Sequence, residues 1–203
     1  MESIAETTKG TNRQIIRLFD FLTTDGGERS FESVASSFKS KNEDVELFFK
    51  KKSVQATKLS TAATYLVSSY IDKKFDLLGY FTLATKMLTL KKASLSKTEQ
   101  NAISRFGYFD KESKSYKLPA ILIAQFSRNF SDESSSISGD ELMNVALEKV
   151  RDILRSTSGK TVFLECDQEE WLIDFYIKNG FQPLENTILS KNNKELTQLY
   201  MIF

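Results

Sequence analysis

The spacing of apolar residues changes along the chain, and each change marks an element. Residues 1–13 are polar and read as a loose lead-in. Ile15 to Phe21 is largely apolar and aromatic and predicts a strand, followed by a turn at Asp25-Gly26-Gly27. After Ser30, the residues Phe31, Val34, Ala35 and Phe38 fall on one face of a helix. A second short helix carries Val45, Phe48 and Phe49 and ends near Lys50-Lys51-Lys52. Period-two alternation then takes over. Tyr65, Val67 and Ile71 alternate within Ala63–Ile71, and Phe75 to Leu90 forms a longer run with Gly79 as a bulge position. Asp72-Lys73-Lys74 joins the two as a polar hairpin connection.

Residues 91–117 are charged and hold one helix, opened by a capping box of Ser96 with Glu99. This segment reads as an excursion, too short and too polar to own a core. Pro119 opens a buried strand, Ala120 to Phe126, and the serine-rich Ser131 to Ser138 is a loop. Ser138 with Glu141 forms a second capping box, which starts a helix striped by Leu142, Val145, Val150, Ile153 and Leu154. Thr161 to Cys166 is a strand. Asp167 with Glu170 caps a helix that runs to Asn179, and Gly180 stops it. Phe181 to Leu184 and Leu196 to Phe203 finish as strands. Antiparallel strands come first and a strand-helix-strand crossover follows. The chain is therefore α/β (α+β), one domain over residues 1–203, with a mixed, mostly antiparallel sheet and helices on its faces.

Composition narrows the chemistry. Twenty-eight Lys and Arg against 27 Asp and Glu leave a net charge of +1, so any basic recognition surface is local. There is no histidine, which removes Ser-His-Asp and Cys-His hydrolysis and the commonest zinc ligand. The single cysteine, Cys166, allows no intrachain disulfide and suits a reducing, cytoplasmic compartment. The first residues lack the apolar run of a signal peptide, and no stretch is long and apolar enough to span a bilayer.

Two places can carry chemistry. A strand feeding the helix at Ser138 presents unpaired amides and a positive dipole end to an anion, with Gly139 allowing close approach. Asp140 and Glu141 oppose that reading, and the plainer alternative is a capped helix. In Phe175-Tyr176-Ile177-Lys178-Asn179-Gly180-Phe181, Tyr176 stands late on a helix beside its glycine stop. A phenol, with a pKa of about 10, can protonate a thiolate whose own value is about 8.5. The plainer alternative is a tyrosine with a buried ring and a wet hydroxyl. Cys166 reads as a core residue. Glu165, Asp167, Glu169 and Glu170 fit helix-start acids better than a metal cluster, so no metal site is expected. Lys50-Lys51-Lys52 reads as a solvated helix end.

Together these stretches resemble the GNAT superfamily of acyl-CoA-dependent N-acyltransferases over about residues 45–203, most of all its toxin-type branch, which acetylates aminoacyl-tRNA. Phe48 to Lys52 with Ala63 to Val67, Gly79 to Ala84, Pro119 to Phe126, and the FY-x-x-x-GF signature at Phe175-Tyr176 and Gly180-Phe181 carry the resemblance. One departure stands out. The family's Q/R-x-x-G-x-G/A loop follows its fourth strand directly, whereas here Ser127 to Ile137 intervenes. Ser138 stands for the glutamine, Gly139 supplies the first glycine, and Glu141 and Met143 replace the other two.

The resemblance implies a split between two central strands that holds acetyl-CoA. It implies main-chain contacts from Phe126, Ser127 and Arg128, helix-start contacts from Ser138, Gly139, Asp140 and Glu141, and Tyr176 as general acid. The acceptor is a primary amine attacking the thioester directly, either on a small molecule or protein or on aminoacyl-tRNA. The low net charge and the acidic run Glu165 to Glu170 lean toward the former. A homodimer is left open. The alternative is a non-catalytic binding module with a degenerate pyrophosphate loop.

Overall fold

The structure, a computed structural model, describes residues 6–7, 13–71, 74–131, 137–190 and 193–203. The expectations for most of the lead-in, for the connection at Asp72 and Lys73, and for residues 132–136 of the serine-rich loop lie outside the described residues. Packing divides the chain into two compact units, residues 1–84 with 124–146 and residues 85–123 with 147–203.

The first unit contains β1 (Glu6–Thr7), β2 (Arg13–Arg17), α1 (Leu18–Leu22), α2 (Gly27–Ser37), α3 (Glu43–Leu47), α4 (Ser53–Lys58) and β3 (Ala63–Ile71). It shares with the second unit the strands β4 (Lys74–Lys91) and β6 (Ser115–Arg128) and the helix α6 (Gly139–Thr157). Its strands hydrogen-bond in the order β1-β2-β3-β4-β6. Neighbouring residues on a strand point to opposite faces, and both faces of this sheet are used. Leu66 and Tyr80 join Phe31, Phe38 and Phe49 in one cluster with Leu18 of α1. The rings of Phe38, Phe49 and Tyr80 lie 4.4–5.3 Å apart, and the Tyr80 hydroxyl donates to the Val45 carbonyl at 2.7 Å. On the other face, Gly79 meets Leu142 of α6.

A bulge stands beside Gly79, as its place in the pattern suggests. Val67 pairs with Gly79, but Ser68 pairs with Leu77, so Leu78 is the extra residue. A Cβ on Gly79 would lie 2.8 Å from the Ser127 carbonyl oxygen and 3.1 Å from the Arg128 Cα. Only glycine lets the two backbones come this close.

The second unit contains α5 (Lys97–Ile103), β5 (Tyr108–Asp110), β7 (Thr161–Asp167), α7 (Glu170–Lys178), β8 (Gln182–Leu189) and β9 (Glu195–Ile202). Its strands run β4-β6-β7-β9-β8, with β5 paired to β6. The β6–β7 ladder is parallel and joins Ile121–Ile123 to Val162–Leu164, while β7, β8 and β9 pair antiparallel. The mixed, mostly antiparallel sheet with helices agrees with the sequence reading. Among the described residues, no helix is long and apolar enough to cross a membrane.

Several boundaries differ from expectation. The strand expected over Ile15–Phe21 ends at Arg17 and becomes α1, because Leu18, Phe21 and Leu22 pack inward at helical spacing. Helix α2 starts at Gly27, before Ser30, since Gly26 at φ 68 turns the chain and its carbonyl accepts from Ser30 N–H. Lys50-Lys51-Lys52 does not end its helix. It lies in a π turn, Phe48–Lys52, that leads straight into α4. The charged segment 91–117 is less of an excursion than expected. Its capping box forms as predicted, but Leu95, Ile103 and Tyr116 enter the core with Leu88 and Leu90. Strand β6 begins at Ser115, four residues before Pro119, which is exposed within it. Strand β8 reaches Leu189, beyond Leu184.

Replacing Gly79 by alanine is expected to destabilise the protein by about 1–3 kcal/mol, since the obstruction is backbone and cannot rotate away. Urea denaturation measures this, and a wild-type midpoint would contradict the close approach.

Candidate functional site

The candidate residues fall into two groups, one in each unit. The first lies at the end of β6 and the start of α6. Ser127 is 7% exposed. Its hydroxyl donates to the Arg128 carbonyl at 2.7 Å and lies 2.9 Å from the Ser40 hydroxyl. Arg128 stacks its guanidinium over Phe130 at 4.7 Å and donates to the Ile137 carbonyl at 2.9 Å. It thereby links the end of β6 to the residue just before Ser138. Asn129 ties the same stretch to β4: its backbone N–H and its side-chain amide donate to the carbonyls of Leu78 and Leu77 at 2.8 and 2.9 Å. Phe126 precedes this knot on β6 and is half-buried.

Ser138 is the N-cap of α6, as predicted. Its carbonyl accepts the first helical bond from Leu142 N–H. Its hydroxyl accepts from Glu141 N–H at 3.1 Å, and the Glu141 carboxylate accepts from Ser138 N–H at 2.9 Å. The other Glu141 oxygen pairs with Arg13 at 2.9 Å. The backbone and hydroxyl bonds of Ser138, then Arg13, hold the Glu141 carboxyl down at about 2. Two of the amides at this helix start are therefore already engaged. Gly139 and Asp140 occupy the first two helical positions, and Gly139 has no side chain to bar approach. The Glu141 carboxylate thus stands as a negative charge at the start of α6. Arg13 escaped the sequence reading because it lies at the edge of the lead-in, and local spacing gives no sign of a partner so distant in the chain.

The second group surrounds Tyr176 on α7. The side chain is buried, with the Phe175 ring at 5.2 Å and the Phe181 ring at 6.0 Å. Gly180 has φ 92. Its N–H donates to the Ile177 carbonyl, and Phe181 N–H donates to the Tyr176 carbonyl. This is a Schellman ending. It explains the FY-x-x-x-GF spacing physically: tyrosine three positions before the cap, glycine just beyond it, and a phenylalanine folding back onto the tyrosine. Burial, followed by the neighbouring Cys166 and Asp167, pushes the Tyr176 hydroxyl above its usual value. It is therefore a proton-bearing phenol throughout the neutral range. Cys166 is buried as expected, and its thiol is pushed up to about 11, mainly by burial.

The helix start before Tyr176 differs from the prediction. Glu169, not Asp167, is the N-cap of α7, and no side-chain capping bond forms. Asp167 belongs to β7 and pairs with Lys194 at 2.7 Å. Glu165 accepts from Gln198, and Glu169 accepts from the Trp171 indole. Glu165, Asp167 and Glu169 of the acidic run thus each have a side-chain partner.

No protein-family model matches the chain, and no curated protein sequence matches it. Solved structures do. AtaT complexed with acetyl-methionyl-tRNAfMet matches with a TM-score of 0.63 and 20% identity, over 94% of both chains. A tyrosine-to-phenylalanine mutant of KacT matches with a TM-score of 0.63 and 19% identity, over 93% of this chain and 95% of that one. A tyrosine-to-phenylalanine mutant of the AtaT toxin, bound to the C-terminus of the antitoxin AtaR and acetyl-CoA, matches with a TM-score of 0.58 and 16% identity, over 95% of this chain and 94% of that one. The GNAT fold expected from the sequence is the fold of this protein.

The Glu141 carboxyl gives a pH signature. Its value is lowered from 4.5 to about 2, so its ionised form contributes stability that is complete above about 4.5 and lost as pH falls through about 2. Melting temperature followed across that interval should fall more steeply for wild type than for Glu141→Gln. Parallel curves would show that the capping contact adds nothing.

Proposed function

We propose that this protein is an acetyl-CoA-dependent N-acetyltransferase of the toxin type, with aminoacyl-tRNA as acceptor. The observation that carries the reading is the match along nearly the whole of both chains to AtaT complexed with acetyl-methionyl-tRNAfMet. Local chemistry supports it. Acetyl-CoA supplies an acetyl group already activated as a thioester. The acceptor amine attacks that carbonyl, and Tyr176 donates its phenolic proton to the departing sulfur. The buried Tyr176 hydroxyl is held in its protonated form, as this role requires. Tyrosine-to-phenylalanine mutants of both AtaT and KacT are among the matched structures. Main-chain groups of Phe126, Ser127 and Arg128 align the acyl arm, and the start of α6 at Ser138, Gly139, Asp140 and Glu141 takes the diphosphate.

Local charge supports tRNA over a small or protein amine. Among the acids that would attract a free cationic amine, Asp167 is paired with a cation, Lys194, while Glu165 and Glu169 accept from the neutral side chains of Gln198 and Trp171. Lys51 and Lys52 are exposed on the π turn, whereas Lys50 is paired with Glu46 at 2.7 Å. The cations offered to RNA phosphates are thus Lys51 and Lys52. The engagement of Ser138 N–H by Glu141 favours a second reading, a GNAT-fold module that binds a partner and performs no transfer.

Labelled acetyl-CoA, offered with bulk aminoacyl-tRNA and with a panel of small amines, separates these readings. Label should appear on tRNA. Label on amines alone would overturn the acceptor, and no calorimetric binding of acetyl-CoA would favour the module. Tyr176→Phe should lower turnover by about 10²-fold or more with little change in acetyl-CoA affinity. Equal turnover would remove Tyr176 from the chemistry. Lys51→Glu with Lys52→Glu should weaken tRNA acetylation and flatten its salt dependence, leaving acetyl-CoA binding intact.

A further inference from the structure

The start of α6 already holds an anion, and the anion belongs to the chain. The Glu141 carboxylate accepts from Ser138 N–H at 2.9 Å and from Arg13 at 2.9 Å. A diphosphate seeks the same kind of partners: backbone N–H groups at a helix start and a guanidinium fork. We propose that Glu141 is an internal stand-in for the acyl donor's diphosphate. It must swing away from Ser138 before the donor seats, and Arg13 then passes from the carboxylate to the diphosphate. This rests on the reading that the protein binds acetyl-CoA.

The surroundings suit such an exchange. The Glu141 side chain is 46% exposed, so water receives it readily once it leaves. The Arg13 side chain is only 19% exposed, and its residue is held in β2, opposite Ser69 of β3. The cation therefore stays while the carboxylate moves. The helix start itself is fixed. Leu142 is fully buried against Gly79, and Arg128 holds the Ile137 carbonyl. If Glu141 stayed in place, a like charge would face the diphosphate across one helical turn. On leaving, it frees one amide and one guanidinium. The exchange replaces one carboxylate by a group of higher charge at a positive helix end. The residue that departs from the family's glycine pattern thus becomes a competitor of the donor, and its effect is on affinity.

Calorimetric titration of the full chain tests this with two donors, acetyl-CoA and acetyl-pantetheine, which lacks the diphosphate. Glu141→Gln keeps an oxygen that can accept from Ser138 N–H, so the helix remains capped and folding is preserved. It should bind acetyl-CoA roughly five- to tenfold more tightly than wild type, the scale of one charge at a helix start. Adding Arg13→Gln to Glu141→Gln should abolish that gain. Acetyl-pantetheine should bind wild type and both variants alike. Unchanged or weaker acetyl-CoA binding by Glu141→Gln, with wild type binding normally, overturns the inference and leaves the acetyltransferase reading standing. A gain that extends equally to acetyl-pantetheine also overturns it. If neither wild type nor Glu141→Gln binds acetyl-CoA while both melt normally, the donor reading fails and takes this inference with it.

Discussion

The approach of one backbone to another at Gly79 governs the first unit. The Ser127 carbonyl and the Arg128 Cα lie where any side chain on Gly79 would stand. The bulge at Leu78 turns the strand at this point, and Asn129 bonds the carbonyls of Leu77 and Leu78 beside it. Leu142 packs against the same glycine and fixes the first turn of α6. The position of Ser138 and the direction of its N–H follow from that turn. Two glycines thus do different work. Gly79 makes room for backbone, and Gly180 reverses the chain after α7 in a conformation that side chains disfavour.

Most of the fold was legible because local pattern and tertiary packing agree. Ala63–Ile71 alternates and is a strand with those limits, and both capping boxes form with their reciprocal bonds. The failures have a common cause: a short apolar run fits more than one period. Leu18, Phe21 and Leu22 satisfy a helix as well as a strand, and the aromatic cluster beneath them decides. Asp167 and Glu170 have the spacing of a capping box, but the pairing of Asp167 with Leu196 on β9 extends β7 through that position. Tertiary hydrogen bonding overrode a sound local signal.

The candidate residues were legible as positions and less so as environments. Tyr176 stands where the signature puts it, yet the same signature encodes a helix ending. Its glycine and second phenylalanine are explained by the Schellman bonds without reference to catalysis. The motif therefore marks a geometry into which a tyrosine can be set. The Glu141 contact with Arg13 joins residues 128 apart in sequence, and no spacing rule reaches that far. Charge counting has the same blind spot. The acids from Glu165 to Glu170 look alike in sequence, but Asp167 is ion-paired with Lys194 while Glu165 and Glu169 accept from the neutral Gln198 and Trp171.

The π turn at Phe48–Lys52 has a consequence for how this segment tolerates change in length. Such a turn closes its hydrogen bonds one residue further on than an α-helix, so it accommodates a residue that a uniform helix would not. Phe49 lies buried at its start, and Val54 and Thr57 face inward after it. Removing any one lysine from the run would let the segment wind as a continuous α-helix in which Phe49, Val54 and Thr57 stand at i, i+4 and i+7, the spacing of one face. Val54 and Thr57 would stay on the core side, whereas one residue more in a uniform helix would turn both of them off it. The segment therefore tolerates the loss of one residue here better than the gain of another: the turn already absorbs the extra residue that keeps the two halves of one helical segment in phase.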